Sequence, residues 1–277
     1  MHGGLAVVGV GLLGGSVALA ARRRGLGPVI GIDRDADALE QARRGSLLDV
    51  ASTDLTAAAA ADLVVLCAPV DRIADLALRL APACRPGTVL TDVGSTKAAI
   101  VAALEGRLPP EVAFVGGHPL AGSEKQGHPH ADADLFVNRR VLITPTPATA
   151  EAAARRVESF WRAMGATCRR MTPQEHDRAV ALTSHLPHLV ASALAGTPPP
   201  ELAGLTANGF RDTTRLAAGG AQLWSAIFRS NRDALLDAVG RFAERLERFR
   251  AALEADDAAA LEELLQRGRR NRDELLG

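Results

Sequence analysis

The chain has no tyrosine, two tryptophans, three cysteines and, at positions 97 and 125, just two lysines among 277 residues. Cys67, Cys84 and Cys168 are odd in number and far apart, which excludes a disulfide framework and offers no zinc-ligand spacing. They read as free thiols of a reducing compartment. Charge of one sign is also missing, since 32 Lys+Arg balance 32 Asp+Glu. Nothing here provides the positive field that nucleic-acid or anionic-membrane binding needs. No apolar run reaches the ~20 residues of a membrane-spanning helix. Met1-His2-Gly3-Gly4 leads straight into strand-like sequence with no charged segment before it, so no signal peptide is expected and the expected location is cytoplasmic. With no lysine after residue 125, lysine chemistry is excluded from the second half. The absence of tyrosine carries no functional reading.

What is present is the composition of an ordinary enzyme, 47% apolar, at a length that suits one large domain or two modest ones. The first half alternates short apolar runs with amphipathic stretches. Strands are expected at 5–8, 29–32, 63–67, 88–91, 112–115, 141–144 and 167–170. Helices are expected at 14–24, 35–44, 71–80 and 148–164. This rhythm predicts an α/β fold, a doubly wound parallel sheet of Rossmann type with helices on both faces. At Thr172-Pro173-Gln174-Glu175 a capping box with proline at the first helical position opens a different region. From there on the pattern is helical, broken at Pro198-Pro199-Pro200 and at Gly219-Gly220. The expected domains are therefore 1–171, dinucleotide-binding, and 172–277, all-helical.

Gly9-Val10-Gly11-Leu12-Leu13-Gly14 follows the first strand and opens a helix. In such a loop the first glycine allows the turn, the second lets backbone approach a pyrophosphate, and the third packs helix against strand. The helix N-terminus adds free N–H groups for the phosphates. Asp33 ends the second strand, near the ~20-residue spacing expected of an acidic ribose ligand. A carboxylate there accepts from both ribose hydroxyls and repels a 2′-phosphate, which favours NAD. Arg34 stacks on an adenine or accommodates a 2′-phosphate, so NADP stays open. Ala68 and Pro69, after the strand at 63–67, complete the candidate cofactor set.

Two further loops carry chemistry. Gly117-His118-Pro119-Leu120-Ala121-Gly122-Ser123-Glu124 places a histidine at a strand's end, facing the crevice where a nicotinamide binds. Imidazole titrates near neutrality and can take an alcohol's proton as its hydride leaves. Thr91-Asp92-Val93-Gly94-Ser95-Thr96-Lys97 lies at the end of another strand, and the Ser95 hydroxyl is placed to orient His118. In the helical half, Ser184-His185-Leu186-Pro187-His188 sets two histidines on one helix face. A third zinc ligand at suitable spacing is missing, so no metal is expected. Binding of an anionic substrate, or packing at the Pro187 kink, accounts for the pair. Gly209-Phe210-Arg211-Asp212-Thr213-Thr214-Arg215 supplies forked cations for carboxylates, or a surface salt bridge. Trp224 and Asn231 follow as core or pocket lining.

Taken together, GVGLLGGS (9–16), GIDR (31–34), TDVGSTK (91–97), GHPLAGSE (117–124), SHLPH (184–188), GFRDTTR (209–215) and LW (223–224) resemble the prephenate/arogenate dehydrogenase family, in the family's order. The resemblance implies that His118 is the catalytic histidine on the ring hydroxyl, assisted by Ser95, with Glu124 ordering and gating the pocket. It implies that Arg215 holds a substrate carboxylate and that Ser184, His185, His188 and Trp224 line the pocket. It also implies a homodimer through the helical domain. Gln126 lies near enough in sequence to Glu124 to touch substrate. The substrate the resemblance implies is prephenate or arogenate, and the paired His185 and His188 lean towards prephenate. Ala217-Ala218-Gly219-Gly220-Ala221 departs from the Asp-Pro that many members carry, which bears on the local turn. Other Rossmann-plus-helical hydroxyacid dehydrogenases, many of which use a lysine on the helical domain, fit less well. A non-catalytic nucleotide sensor would have no use for His118, Ser95 and Arg215 together.

Overall fold

The computed structural model describes residues 4–122 and 127–277. Among them, Leu5–Val8 (β1), Val29–Ile32 (β2), Val50–Ser52 (β3), Leu63–Leu66 (β4), Val89–Asp92 (β5), Ala113–Pro119 (β6), Arg140–Thr144 (β7) and Thr167–Arg170 (β8) form one sheet. The strand order is β3-β2-β1-β4-β5-β6-β7-β8. Strands β1 to β6 pair in parallel, β7 runs antiparallel to β6, and β8 runs parallel to β7.

Side chains of a strand alternate between faces, and here both faces are buried. Leu5, Val7, Leu63 and Val65 point into one core, with helices α1 (Leu12–Arg23) and α2 (Ala36–Arg44). Ala6, Val8, Val64 and Leu66 point into the other, against α3 (Ile73–Leu80) and α4 (Ala98–Leu104). Phe160 and Trp161 of α5 (Glu151–Ala163) close the first core. The predicted doubly wound sheet is thus present. Two elements exceed the sequence reading. β3 has three residues, too few to show an alternation, and α4 has seven, from an alanine-rich stretch with no helical periodicity.

The region after residue 171 is helical among the described residues: α6 (Pro173–Val180), α7 (Leu186–Ala195), α8 (Asn208–Thr214), α9 (Ala221–Ser230), α10 (Arg232–Glu254) and α11 (Ala258–Leu276). The capping box opens α6, with Glu175 N donating to Thr172 Oγ1 at 3.1 Å and Thr172 N donating to Glu175 Oε2 at 2.8 Å. Pro187 has no N–H to donate back into the preceding turn. The backbone before it widens into one π turn at Ala181–His185. The chain divides into two compact units, 1–232 and 233–277. In the second, Asp257 separates the two long helices and caps α11, accepting from Ala260 N at 2.9 Å.

Candidate active site

The strand order reverses at β1, whose neighbours are β2 and β4, and such a switch point opens a crevice at the strands' C-terminal ends. The glycine loop fills one side of it. Gly9 has φ +95°, and a Cβ there would stand 2.5 Å from the Cys67 carbonyl oxygen and 3.3 Å from Ala68 N. A Cβ on Gly14 would stand 1.9 Å from the Gly9 carbonyl oxygen. Gly11 differs from both, with no atom of the described residues within 4 Å of its missing Cβ. It caps α1 without a side chain, so the first-turn N–H groups of Leu12 and Leu13 are left for an anion. Asp33 closes the loop from β2, accepting from Val10 N at 2.7 Å through Oδ2 and from Asp35 N at 3.2 Å through Oδ1. Each carboxylate oxygen keeps a lone pair for a ribose hydroxyl. The open face over Gly11, the bare helix end and the acidic tip fit a dinucleotide. Arg34 and Pro69 are exposed beside this crevice, and Ala68 is half-buried. Burial and Asp92 push the Cys67 thiol up, so it stays protonated behind the loop.

His118 is not in a loop, as the sequence suggested. β6 continues through Pro119 because it gains β7 as an antiparallel partner, with His118 opposite Leu142. The imidazole is thereby mounted on the sheet. His118 is half-buried, in dense surroundings. Burial first, then the neighbouring His176, Lys97 and His185, hold its pKa well below the ordinary histidine value. His118 Nδ1 lies 2.9 Å from His176 Nε2, and the rings meet edge to face. His176 Nδ1 lies 2.7 Å from Asp177 Oδ1. Asp177 also accepts from Lys97 N at 2.7 Å and from Ala98 N at 2.9 Å, which ties α6 to the start of α4.

Beneath this row lies a buried ion pair between Lys97 Nζ and Asp92, both fully enclosed. Asp92 also accepts from Gly94 N at 2.9 Å and from Gly117 N at 3.0 Å, so one carboxylate binds the Ser95 loop to the His118 strand. Removing either partner of such a pair costs about 3–5 kcal/mol. Burial pulls the Lys97 pKa below its ordinary value while Asp92 opposes the change. Ser95 itself is half-buried on this loop.

His185 ends the π turn. Asn231 Nδ2 donates to the Asp177 carbonyl at 2.8 Å and lies 3.1 Å from His185 Nδ1. An amide nitrogen donates, so His185 Nδ1 accepts and its proton sits on Nε2, which is buried with no partner among the described residues. Burial lowers the His185 pKa to about 4. His188 stacks on Trp224 with centroids 3.6 Å apart. A Cβ on Gly219 would stand 2.6 Å from Trp224 Nε1 and 2.7 Å from His188 Cε1. The glycine in the departing segment therefore makes room for the stack. Arg215 is exposed at the start of the same turn, Arg215–Ala218, which packs on α7. Ser184 is half-buried within the π turn.

The structure thus gathers His118, His185 and the loop of Ser95 around one polar cluster, with the His188–Trp224 stack and the Arg215 turn alongside. Glu124 and Gln126 lie outside the described residues. No group of three potential metal ligands occurs among the described residues. His176 and Asp177 were not singled out from sequence. Adjacent helical residues do not normally face one another, and the partner of His176 is 58 positions away. The His176-Asp177 pair directly after the capping box was the one available signal.

A dinucleotide crevice beside a neutral, sheet-mounted histidine defines an NAD-dependent dehydrogenase with a Rossmann-type lobe and a helical region. The family model described as prephenate dehydrogenase, nucleotide-binding domain, matches residues 17–169, and prephenate dehydrogenase, dimerization domain, matches 172–267. The chain belongs to the prephenate dehydrogenase family. It is 33% identical over 265 residues to cyclohexadienyl dehydrogenase of Zymomonas mobilis, covering 91% of this chain and 89% of that one. A crystal structure of Aquifex aeolicus prephenate dehydrogenase in complex with hydroxyphenyl propionate and NAD+ superposes with TM-score 0.92 at 31% identity, covering 98% of each chain. Synechocystis arogenate dehydrogenase superposes with TM-score 0.83 at 32% identity, covering 98% of this chain and 99% of that one.

Proposed function

We propose that the protein oxidatively decarboxylates prephenate to 4-hydroxyphenylpyruvate with NAD, on the route to tyrosine. The observation that carries the reading is His118, a neutral imidazole on a rigid strand at the crevice edge. NAD, when bound, supplies the hydride acceptor. Gly11, the first turn of α1 and Asp33 hold its pyrophosphate and adenosine ribose, with Leu12, Leu13, Gly14, Arg34, Ala68 and Pro69 around them. His118 takes the proton of the ring hydroxyl as hydride leaves the carbinol carbon, and Ser95 orients that hydroxyl. The ring carboxylate then departs as carbon dioxide, and aromatisation makes the step irreversible. The protein positions the carbinol, accepts one proton and clamps the acid groups.

Arg215 and the pocket residues Ser184, His185, His188 and Trp224 hold the substrate, with Glu124 and Gln126 as further pocket residues. The unpartnered His185 Nε2–H is a neutral donor, suited to a carboxylate or carbonyl oxygen and not to an ammonium. At the side-chain α-carbon such a donor suits the keto oxygen of prephenate and not the ammonium of arogenate. Residues 172–277 form the substrate-binding and dimerisation domain of a homodimer. Leu236, Leu246, Leu253, Leu265 and Leu275 expose an apolar surface on α10 and α11 that suits such an interface. The free thiols Cys67, Cys84 and Cys168 suit the cytoplasm. Initial rates of NAD reduction with prephenate and arogenate side by side, and with NADP as second cofactor, test the reading. Turnover of prephenate with NAD is expected. Turnover of arogenate alone would move the assignment to the arogenate branch, and none with either acid would overturn it.

A further inference from the structure

His118, His176 and Asp177 lie in a hydrogen-bonded row whose proton positions follow from its far end. Asp177 accepts from two backbone N–H groups, of Lys97 and Ala98. It is therefore an acceptor, and His176 Nδ1 must be the donor across the 2.7 Å contact. In the neutral ring His176 Nε2 then carries a lone pair. Across the next contact, 2.9 Å, His118 Nδ1 is the donor. The lone pair of His118 is left on Nε2, the nitrogen outside the row.

We propose that this row is a two-imidazole relay, in which His176 fixes His118 as the Nδ1–H tautomer and takes over its proton during turnover. The inference rests on the proposed reaction for its proton donor. As the substrate O–H bond breaks, its proton bonds to His118 Nε2. The Nδ1 proton of His118 crosses to His176 Nε2. The electron pair of the broken C–H bond leaves with the hydride to NAD. His118 ends neutral with its proton on Nε2, and the positive charge ends on His176 beside the Asp177 carboxylate. Release of one proton to solvent restores the starting tautomers.

The location of charged groups favours this transfer. His118 faces the Lys97 ammonium from the N-terminus of α4, whose partner Asp92 ends β5, and His185 from the π turn. A cation held on His118 is next to one positive charge and two further imidazoles. A cation on His176 touches a carboxylate instead. His176 and Asp177 are positioning residues here, since both act through His118.

His176→Gln tests the relay. The amide oxygen can accept from His118 Nδ1, but an amide cannot carry the proton onward. kcat is expected to fall by about 100-fold or more, within the ~10²–10⁴ range of general acid–base catalysis. The prephenate KM and NAD Kd should stay within about threefold. A kcat within about threefold of wild type would overturn the relay. A second measurement needs neither a variant nor turnover. Nitrogen-15 imidazole spectra of the wild-type protein, with seven histidines to assign, read the tautomers directly. His118 is expected to show a protonated Nδ1 and a bare Nε2, and His176 a protonated Nδ1. A protonated Nε2 on resting His118 would overturn the relay whatever the enzyme's substrate proves to be.

Discussion

Replacing Gly11 and Gly14 by alanine, one at a time, separates what the glycine loop does for the nucleotide from what it does for the fold. At Gly11 the added methyl meets none of the described residues within 4 Å, and the backbone, at φ −88° and ψ −151°, lies in the extended region that alanine adopts. The folded protein should tolerate Gly11→Ala to within about 1 kcal/mol, including the loss of chain entropy that alanine brings to the unfolded state. The melting temperature should therefore stay within about 2–4 °C of wild type. The methyl does enter the space over the first turn of α1 where a pyrophosphate must approach. Overpacking of one methyl costs about 1–3 kcal/mol, equivalent to a rise in the NAD Kd of about 5- to 150-fold. At Gly14 the methyl would stand 1.9 Å from a backbone oxygen and 3.0 Å from Val7 Cγ1. Neither backbone segment can rotate away, so helix and strand must separate. The cost should reach about 3 kcal/mol, and the melting temperature should fall by roughly 6–12 °C. Thermal melts without nucleotide and calorimetric titration with NAD measure both quantities. A Gly11→Ala protein that bound NAD as well as wild type would refute the assignment of this loop to the pyrophosphate. A Gly11→Ala protein that melted as early as Gly14→Ala would refute the reading of Gly11 as conformationally free.

His118→Ala should lower kcat by roughly 10²–10⁴-fold in steady-state assays with prephenate and NAD, and a loss of only a few-fold would remove His118 as the base. Arg215→Ala should raise the prephenate KM by about tenfold or more, the worth of a charge-assisted hydrogen bond. An unchanged KM would rule out a carboxylate clamp there. Acid should destabilise the fold through His185. Its unfolded imidazole takes up a proton near 6.5, while the buried ring stays neutral down to about 4. Protons thus favour the unfolded chain, and stability is lost as pH falls through that window. Between pH 6.5 and pH 5 the loss from His185 alone should be about 2 kcal/mol, read as a lower urea midpoint. An unchanged midpoint would mean that the folded ring protonates as readily as the unfolded one.

The parts of the molecule legible in its sequence are those written in local patterns. β1 and β2 stand where four-residue apolar runs predict them, because both faces of a central parallel strand are buried. The glycine loop is legible because Gly9 and Gly14 answer steric demands of close backbone approach, and Gly11 leaves the helix end open. The capping box marks α6 because its two hydrogen bonds span three residues. Features made by long-range pairing were hidden. His118 sits within a strand because β7 arrives antiparallel beside it, and no local signal announces that partner. The Lys97–Asp92 pair was quoted within a motif, yet its complete burial depends on the sheet closing over it. His176 lies on a helix that looked like a plain start to the second region, and its value appears with the contact to His118.

The grip of Asp177 on the backbone of Lys97 and Ala98 has a consequence for inheritance. His118 stands in the segment matched as the nucleotide-binding domain, while His176 and Asp177 behind it stand in the segment matched as the dimerization domain. Shuffling these segments between relatives therefore does more than exchange a cofactor module for a substrate module. On the proposed relay, a chimera keeps its proton acceptor when its donors agree on the histidine, the aspartate and the turn that seats them, which ties the divergence of the two modules together.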